Sequence, residues 1–158
     1  MAELRALLEG AGYEDVRTHL QSGNVLLSSA LSPRKLEAQL ERQLAQGLGM
    51  DLQVLVRTRA ELAKVVERDP LGNVATNRAR YLVSFLSKKL PAKAARELDE
   101  ADLAPAQLVV GGRELYAWYP DGVQRSPAAK LLDDKRLGVV STARNWNTVT
   151  KLLELADA

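Results

Sequence analysis

At 158 residues, 46% hydrophobic and 27% charged, the chain has the composition of one globular domain or two small ones. With no cysteine it has no disulfide, no thiolate metal site and no cysteine nucleophile, which fits a cytoplasmic setting. Met1-Ala2-Glu3-Leu4-Arg5 shows no export signal pattern, and no apolar run approaches the roughly 18 residues of a membrane span, so no membrane partner is expected. Residues 1–77 carry 9 basic and 10 acidic side chains, and residues 78–158 carry 13 and 10. The mild basic excess of the second half permits an anionic partner but is no polybasic stripe.

The first helix is predicted over 2–9, where Leu4, Leu7 and Leu8 share a face and Gly10 and Gly12 stop it. Residues 16–20 alternate as a strand, Gln21-Ser22-Gly23-Asn24 make a hairpin turn, and 25–29 return. Ser32-Pro33 starts a helix whose Leu36, Leu40, Leu44 and Leu48 recur every four residues. Residues 52–56 (LQVLV) read as a strand. Thr58-Arg59-Ala60-Glu61 is a capping box opening a helix that Asp69-Pro70 closes.

The order then repeats. Residues 80–86 are apolar on both faces, which predicts a central strand, and Pro91 opens a helix to about Glu100. Residues 107–110 and 113–119 form a second hairpin around Gly111-Gly112. Ser126-Pro127 starts a helix ending at Gly138, residues 139–142 suggest a short strand, and 145–156 form a last helix. The second half is thus β-α-β-β-α-β-α, and the first matches it element by element without the opening strand. The predicted fold is α+β, with two tandem ferredoxin-like (β-α-β-β-α-β) subdomains, residues 1–77 and 78–158. The first lacks its N-terminal central strand. Residues before Met1, a strand from another chain (strand exchange or a homodimer through the open first sheet) or a rearranged half would each answer that lack. The first remedy is favoured, because an open sheet invites aggregation.

Leu20-Gln21-Ser22-Gly23-Asn24-Val25 and Thr142-Ala143-Arg144-Asn145-Trp146-Asn147-Thr148-Val149-Thr150-Lys151-Leu152 together resemble the bacterial "domain of unknown function 1697" family, the second segment being the specific one. The resemblance covers essentially the whole chain in element order. It implies a pair of ferredoxin-like subdomains and no assigned activity. Members usually begin with a strand and a Gly-rich turn carrying Arg-Gly-Ile-Asn, and that stretch is absent here, at the place where the repeat also lacks a strand.

The densest polar run is Arg144-Asn145-Trp146-Asn147-Thr148, placed at the start of the last helix. Free N–H groups there favour an anion, and Arg144 adds a bidentate donor, with Thr142, Asn145, Asn147 and Thr148 near it. The competing reading has Asn145 as a helix cap, Trp146 as a core anchor and Arg144 paired with Asp133 or Asp134. Gln21, Ser22 and Asn24 present polar side chains from a tight turn, towards a ligand or simply as hairpin chemistry. His19, the single histidine, has no partner at triad spacing and no second His or Cys with which to hold a metal. Ser126 and Lys130, four apart, do not match the Ser–Lys hydrolase spacing, and Ser126 is explained as a cap. Lys130 is expected on the surface that carries Arg144. The acid pairs Asp99-Glu100 and Asp133-Asp134 read as solvated helix faces. No phosphate loop or dinucleotide motif occurs, so no cofactor and no metal is expected.

Three functions follow in order. The first is a module binding a small anionic or phosphorylated ligand. The second is a nucleic-acid-binding plait with Tyr81, Phe85, Tyr116 and Trp118 as strand aromatics, although the RNA-binding signature is missing. The third is an enzyme acting on a phosphorylated substrate, for which nothing beyond the anion site speaks.

Overall fold

The computed structural model of the chain describes residues 2–19 and 23–157. They form mixed α+β structure with two sheets, one of two strands and one of four. Packing divides them into two units: residues up to Glu61 together with those from Leu152 onward, and Leu62–Lys151.

In the first unit, α1 (Ala2–Gly10) precedes the antiparallel pair β1 (Glu14–His19) and β2 (Asn24–Ser28). Helix α2 (Pro33–Leu48) begins where the sequence predicts: the Ser32 hydroxyl accepts the Lys35 N–H, and Pro33 takes a position where no N–H is needed. It ends at Gly49, whose φ of 64° suits a residue without a Cβ. Leu8, Val16, Leu36 and Leu40 form the apolar centre, with Leu4, Tyr13, Val25, Leu27, Val54 and Val56 packed against it.

Residues 52–56 are not a strand. Their apolar side chains are used as expected, since Val54 and Val56 face the cluster, but their amides take another route. Val54 N–H donates to Glu41 Oε1 at 2.9 Å and Val56 N–H to Glu37 Oε1 at 3.0 Å. Two carboxylates one turn apart on α2 thus accept what a neighbouring strand would have accepted.

Helix α3 (Arg59–Arg68) starts in the predicted capping box, with Glu61 N–H on Thr58 Oγ1 at 3.1 Å and Thr58 N–H on Glu61 Oε1 at 2.9 Å. It stops before Asp69-Pro70.

The second unit carries β3 (Tyr81–Leu86), α4 (Ala92–Glu100), β4 (Gln107–Gly111), β5 (Glu114–Trp118), α5 (Asp134–Leu137), β6 (Ser141–Asn145) and the first part of α6 (Trp146–Ala156). The sheet order is β4-β5-β3-β6, antiparallel throughout, which puts β3 at the centre. Its two-faced apolar sequence has a simple cause: both faces are covered. Leu82, Leu86, Leu115 and Ala117 pack on one side with Leu98 of α4, Ala128 and Leu137. On the other side Tyr81, Val83, Phe85, Tyr116 and Trp118 are also buried.

The helix expected from Ser126 to Gly138 is broken in two. A 3-10 turn spans Pro127–Leu132, then Asp133 leaves the helical region at ψ 149° and caps α5 by accepting the Lys135 and Arg136 N–H groups. The last strand also lies later than the predicted 139–142, at Ser141–Asn145.

Candidate functional site

The shift of β6 changes the setting of the polar run. Arg144 and Thr142 belong to an edge strand, and only from Trp146 does the chain become helical. Arg144 lies opposite Val83, and Val83 opposite Tyr116, so the three stand in one row on one face of the sheet. Arg144 Nη1 donates to Thr142 Oγ1 at 2.7 Å and to the Ala143 carbonyl at 2.8 Å. Both acceptors are uncharged. Arg144 is half-buried, and the loss of water around it lowers its pKa from the ordinary guanidinium value.

Asn145 is the cap of α6: its Oδ1 accepts the Thr148 N–H at 2.9 Å. Thr148 is buried and Asn147 exposed. Trp146 is 4% exposed and anchors the helix, as the structural reading of the run predicts. The two acids suggested as partners for Arg144 are engaged locally. Asp133 caps α5, and Asp134 Oδ1 accepts from the Ser141 hydroxyl at 2.8 Å.

Lys130 does not join this group. It lies exposed in the 3-10 turn whose Ala128 and Leu131 pack with Leu86 and Leu115, on the face opposite Arg144. Ser126 is a cap, accepting the Ala128 N–H at 3.3 Å. In the first unit, Asn24 is buried and its Nδ2 donates to the His19 carbonyl at 2.9 Å, closing the hairpin. Gln21 and Ser22 lie outside the described residues.

The sheet aromatics are not an open platform. Tyr81, Phe85, Tyr116 and Trp118 are buried, and Tyr116 donates its hydroxyl proton to the Val65 carbonyl of α3 at 2.9 Å. Bases cannot stack on buried rings, two of which are tied to the chain above them, Tyr116 to Val65 and Tyr81 to Leu71. Among the described residues no cluster of three His, Cys, Asp or Glu side chains is placed to hold a metal ion. Among the described residues no helix is long and apolar enough to cross a membrane.

One constellation goes beyond the sequence reading. Tyr81 donates to Asp69 Oδ1 at 3.0 Å and accepts the Leu71 N–H at 3.2 Å, while Arg78 stands 4.0 Å from Asp69 Oδ2 and 6.0 Å from the Trp146 ring centre. Asp69 reads from sequence only as a helix stop, and Arg78 carries no local signal. A φ of 31° at Asp69, rare for a residue with a Cβ, turns the carboxylate towards this group.

A structure of the conserved bacterial protein SP0830 from Streptococcus pneumoniae is similar to this chain, with 20% sequence identity and a TM-score of 0.71, covering 99% of this chain and 88% of that one. At that identity the likeness is one of fold. No curated protein matches the chain. The family model for proteins of unknown function designated DUF1697 matches residues 1–116, most of the chain, so the protein belongs to the DUF1697 family.

Proposed function

We propose that the protein is a binding module whose second unit takes a small anion, a phosphate or carboxylate group, beside Arg144. The observation that carries this is the position of Arg144, a half-buried guanidinium on an edge strand directed by Thr142 and followed at once by the start of α6. A guanidinium has five donors in a planar fork matched to such anions. Thr142 fixes its direction, and Asn147, Thr148 and the Asn145-capped start of α6 follow directly in the chain. The proposed setting is a reducing bacterial cytosol, which a chain without cysteine fits.

A thermal-shift screen with inorganic phosphate, phosphorylated metabolites and dicarboxylates tests the reading. Stabilisation that grows with ligand concentration is expected, as binding to the native state requires. Arg144→Ala should abolish it and Arg144→Lys should weaken it. Equal shifts for wild type and Arg144→Ala with every compound overturn the proposal.

We also read residues 1–77 and 78–158 as two copies of one ferredoxin-like unit. The order β4-β5-β3-β6, with the first strand central and helices after the first and third strands, supports this for the second copy. For the first, the support is the sequence hairpin, helix, extended segment, helix, in which β1, β2 and residues 52–56 stand where β4, β5 and β6 stand later in the chain.

A further inference from the structure

We infer that the end of the second unit where β3 passes into α4 is a docking surface for the phosphate backbone of a nucleic-acid duplex. Lys88 and Lys89 follow β3 closely, and Lys93 lies in the first turn of α4. Two contacts bring Lys135 and Arg136 of α5 to the same place. The Ser87 N–H donates to the Val140 carbonyl at 2.8 Å, and the Pro91 ring lies against Gly138, where an added Cβ would stand 3.3 Å from it. Arg136 also lines the cleft between α4 and α5 with Ala94 and Leu98. All five cations are exposed, and among the described residues none of their side chains makes an ion pair.

The charge is local and uncompensated. Residues 87–96 carry four basic side chains and no acidic one, and residues 133–141 carry two of each. Both of those acids are occupied at short range: Asp133 Oδ1 accepts the Lys135 N–H at 2.7 Å, and Asp134 Oδ1 accepts the Ser141 hydroxyl at 2.8 Å. Glu97, the next carboxylate along α4, shares the cleft with Arg136 without an ion pair to it. The two segments are far apart in sequence, so only folding sums their charge. Cations without carboxylates of their own favour an external polyanion. Its kind follows from what the patch lacks. Neither segment contains an aromatic residue, so bases have nothing to stack on, as single strands require. Among the described residues no large exposed apolar side chain lies in either segment, so nothing is placed to enter a bilayer. What remains is contact with phosphates, which any duplex offers at close spacing. The surface is separate from the Arg144 site, since Arg144 lies opposite Val83 in the middle of β3.

The test is fluorescence anisotropy of a labelled DNA duplex of about 20 base pairs, titrated with the full chain at about 50 to 200 mM salt. Saturable binding, indifferent to the duplex sequence, is expected. With about four or five phosphates neutralised, affinity should fall about 150- to 500-fold over that salt range. Lys88→Ala combined with Lys89→Ala should weaken binding at least about tenfold at the lowest salt and reduce the slope of log K against log salt by about two. Lys35→Ala, which removes an exposed cation of the first unit, should match wild type. No binding at about 50 mM salt, an unchanged slope in the double variant, or a loss of slope as large in Lys35→Ala overturns the inference. Tighter binding to phosphatidylglycerol vesicles than to the duplex overturns it as well and assigns the patch to a membrane surface.

Discussion

Tyr81 and Trp146 stack with ring centroids 4.6 Å apart and planes 11° from parallel. The contact joins the first residue of β3 to the first residue of α6, and the Tyr81 hydroxyl carries it on to Asp69 and Leu71. A sheet, a helix start and the turn after α3 are thereby fixed at one point. Offset-stacked aromatic pairs add about 0.5–1.5 kcal/mol beyond the area they bury.

Tyr81→Phe keeps the stack and removes only the hydroxyl. The Leu71 N–H, which is buried, then loses its acceptor, and the cost should be about 1–3 kcal/mol in urea unfolding. Trp146→Ala removes the ring itself and should cost about 3–5 kcal/mol. Equal costs for the two variants would mean that the hydroxyl, not the stack, holds this point together.

Asn145→Ala should destabilise the protein by about 1 kcal/mol through loss of the cap on α6, whereas Asn145→Asp should retain most of it. Chemical denaturation with the slope unchanged is the check. If Asn145→Ala is neutral in stability yet weakens anion-dependent thermal shifts, its side chain serves a ligand and not the helix.

Gly138 ends α5 at φ 73°, and a Cβ there would stand 3.3 Å from the Pro91 ring. Gly138→Ala should cost about 1–2 kcal/mol from the left-handed backbone alone. Gly10, which has neither positive φ nor a neighbour within reach, should accept Ala with a small gain in helix stability. Thermal unfolding of the pair separates backbone strain from general intolerance of substitution.

Features carried by neighbouring residues were legible before the structure. Ser32-Pro33, the Thr58–Glu61 box and Asp69-Pro70 mark real helix ends because a cap is a contact over three residues. The two-faced apolar run at 81–86 marks the central strand because burial on both sides leaves no polar alternation. Residues 52–56 misled because composition reports where side chains go and says nothing of what accepts the amides. The polar run at 142–148 was found, but its division into an edge strand and a helix turns on pairing with β3, some sixty residues away. Lys130 lies on the face opposite Arg144 because closeness in sequence does not decide which face of a sheet a helical turn covers.

Glu37→Ala and Glu41→Ala should leave the core intact and free residues 52–56. Hydrogen bonds to a charged acceptor contribute about 1.5 kcal/mol or more, so hydrogen exchange at Val56 and Val54 respectively should quicken about tenfold. Exchange at Leu36 and Leu40 should stay as in wild type. Uniform acceleration would mean that the two carboxylates support the whole unit and not one segment.

Alkaline pH is the last lever. Burial raises the pKa of Tyr116 to about 12, with Glu114 adding to the rise, and burial alone raises Tyr119 to about 12. Burial raises Tyr81 further still, and Asp69 contributes to it. Unfolded tyrosine ionises near pH 10, so between about 10 and 12 the unfolded chain loses protons that the folded protein keeps. Stability from these groups is complete below pH 10 and falls as pH rises from there through the folded values. Urea unfolding at pH 8, 10 and 11 should show a loss only in the last step, while tyrosinate absorbance of the native protein stays low. Tyr116→Phe and Tyr119→Phe should each flatten that loss. If Tyr81 and Tyr116 of the native protein titrated near pH 10 without loss of stability, the sheet face they share with Arg144 would be open to water, against the burial on which Arg144's setting depends.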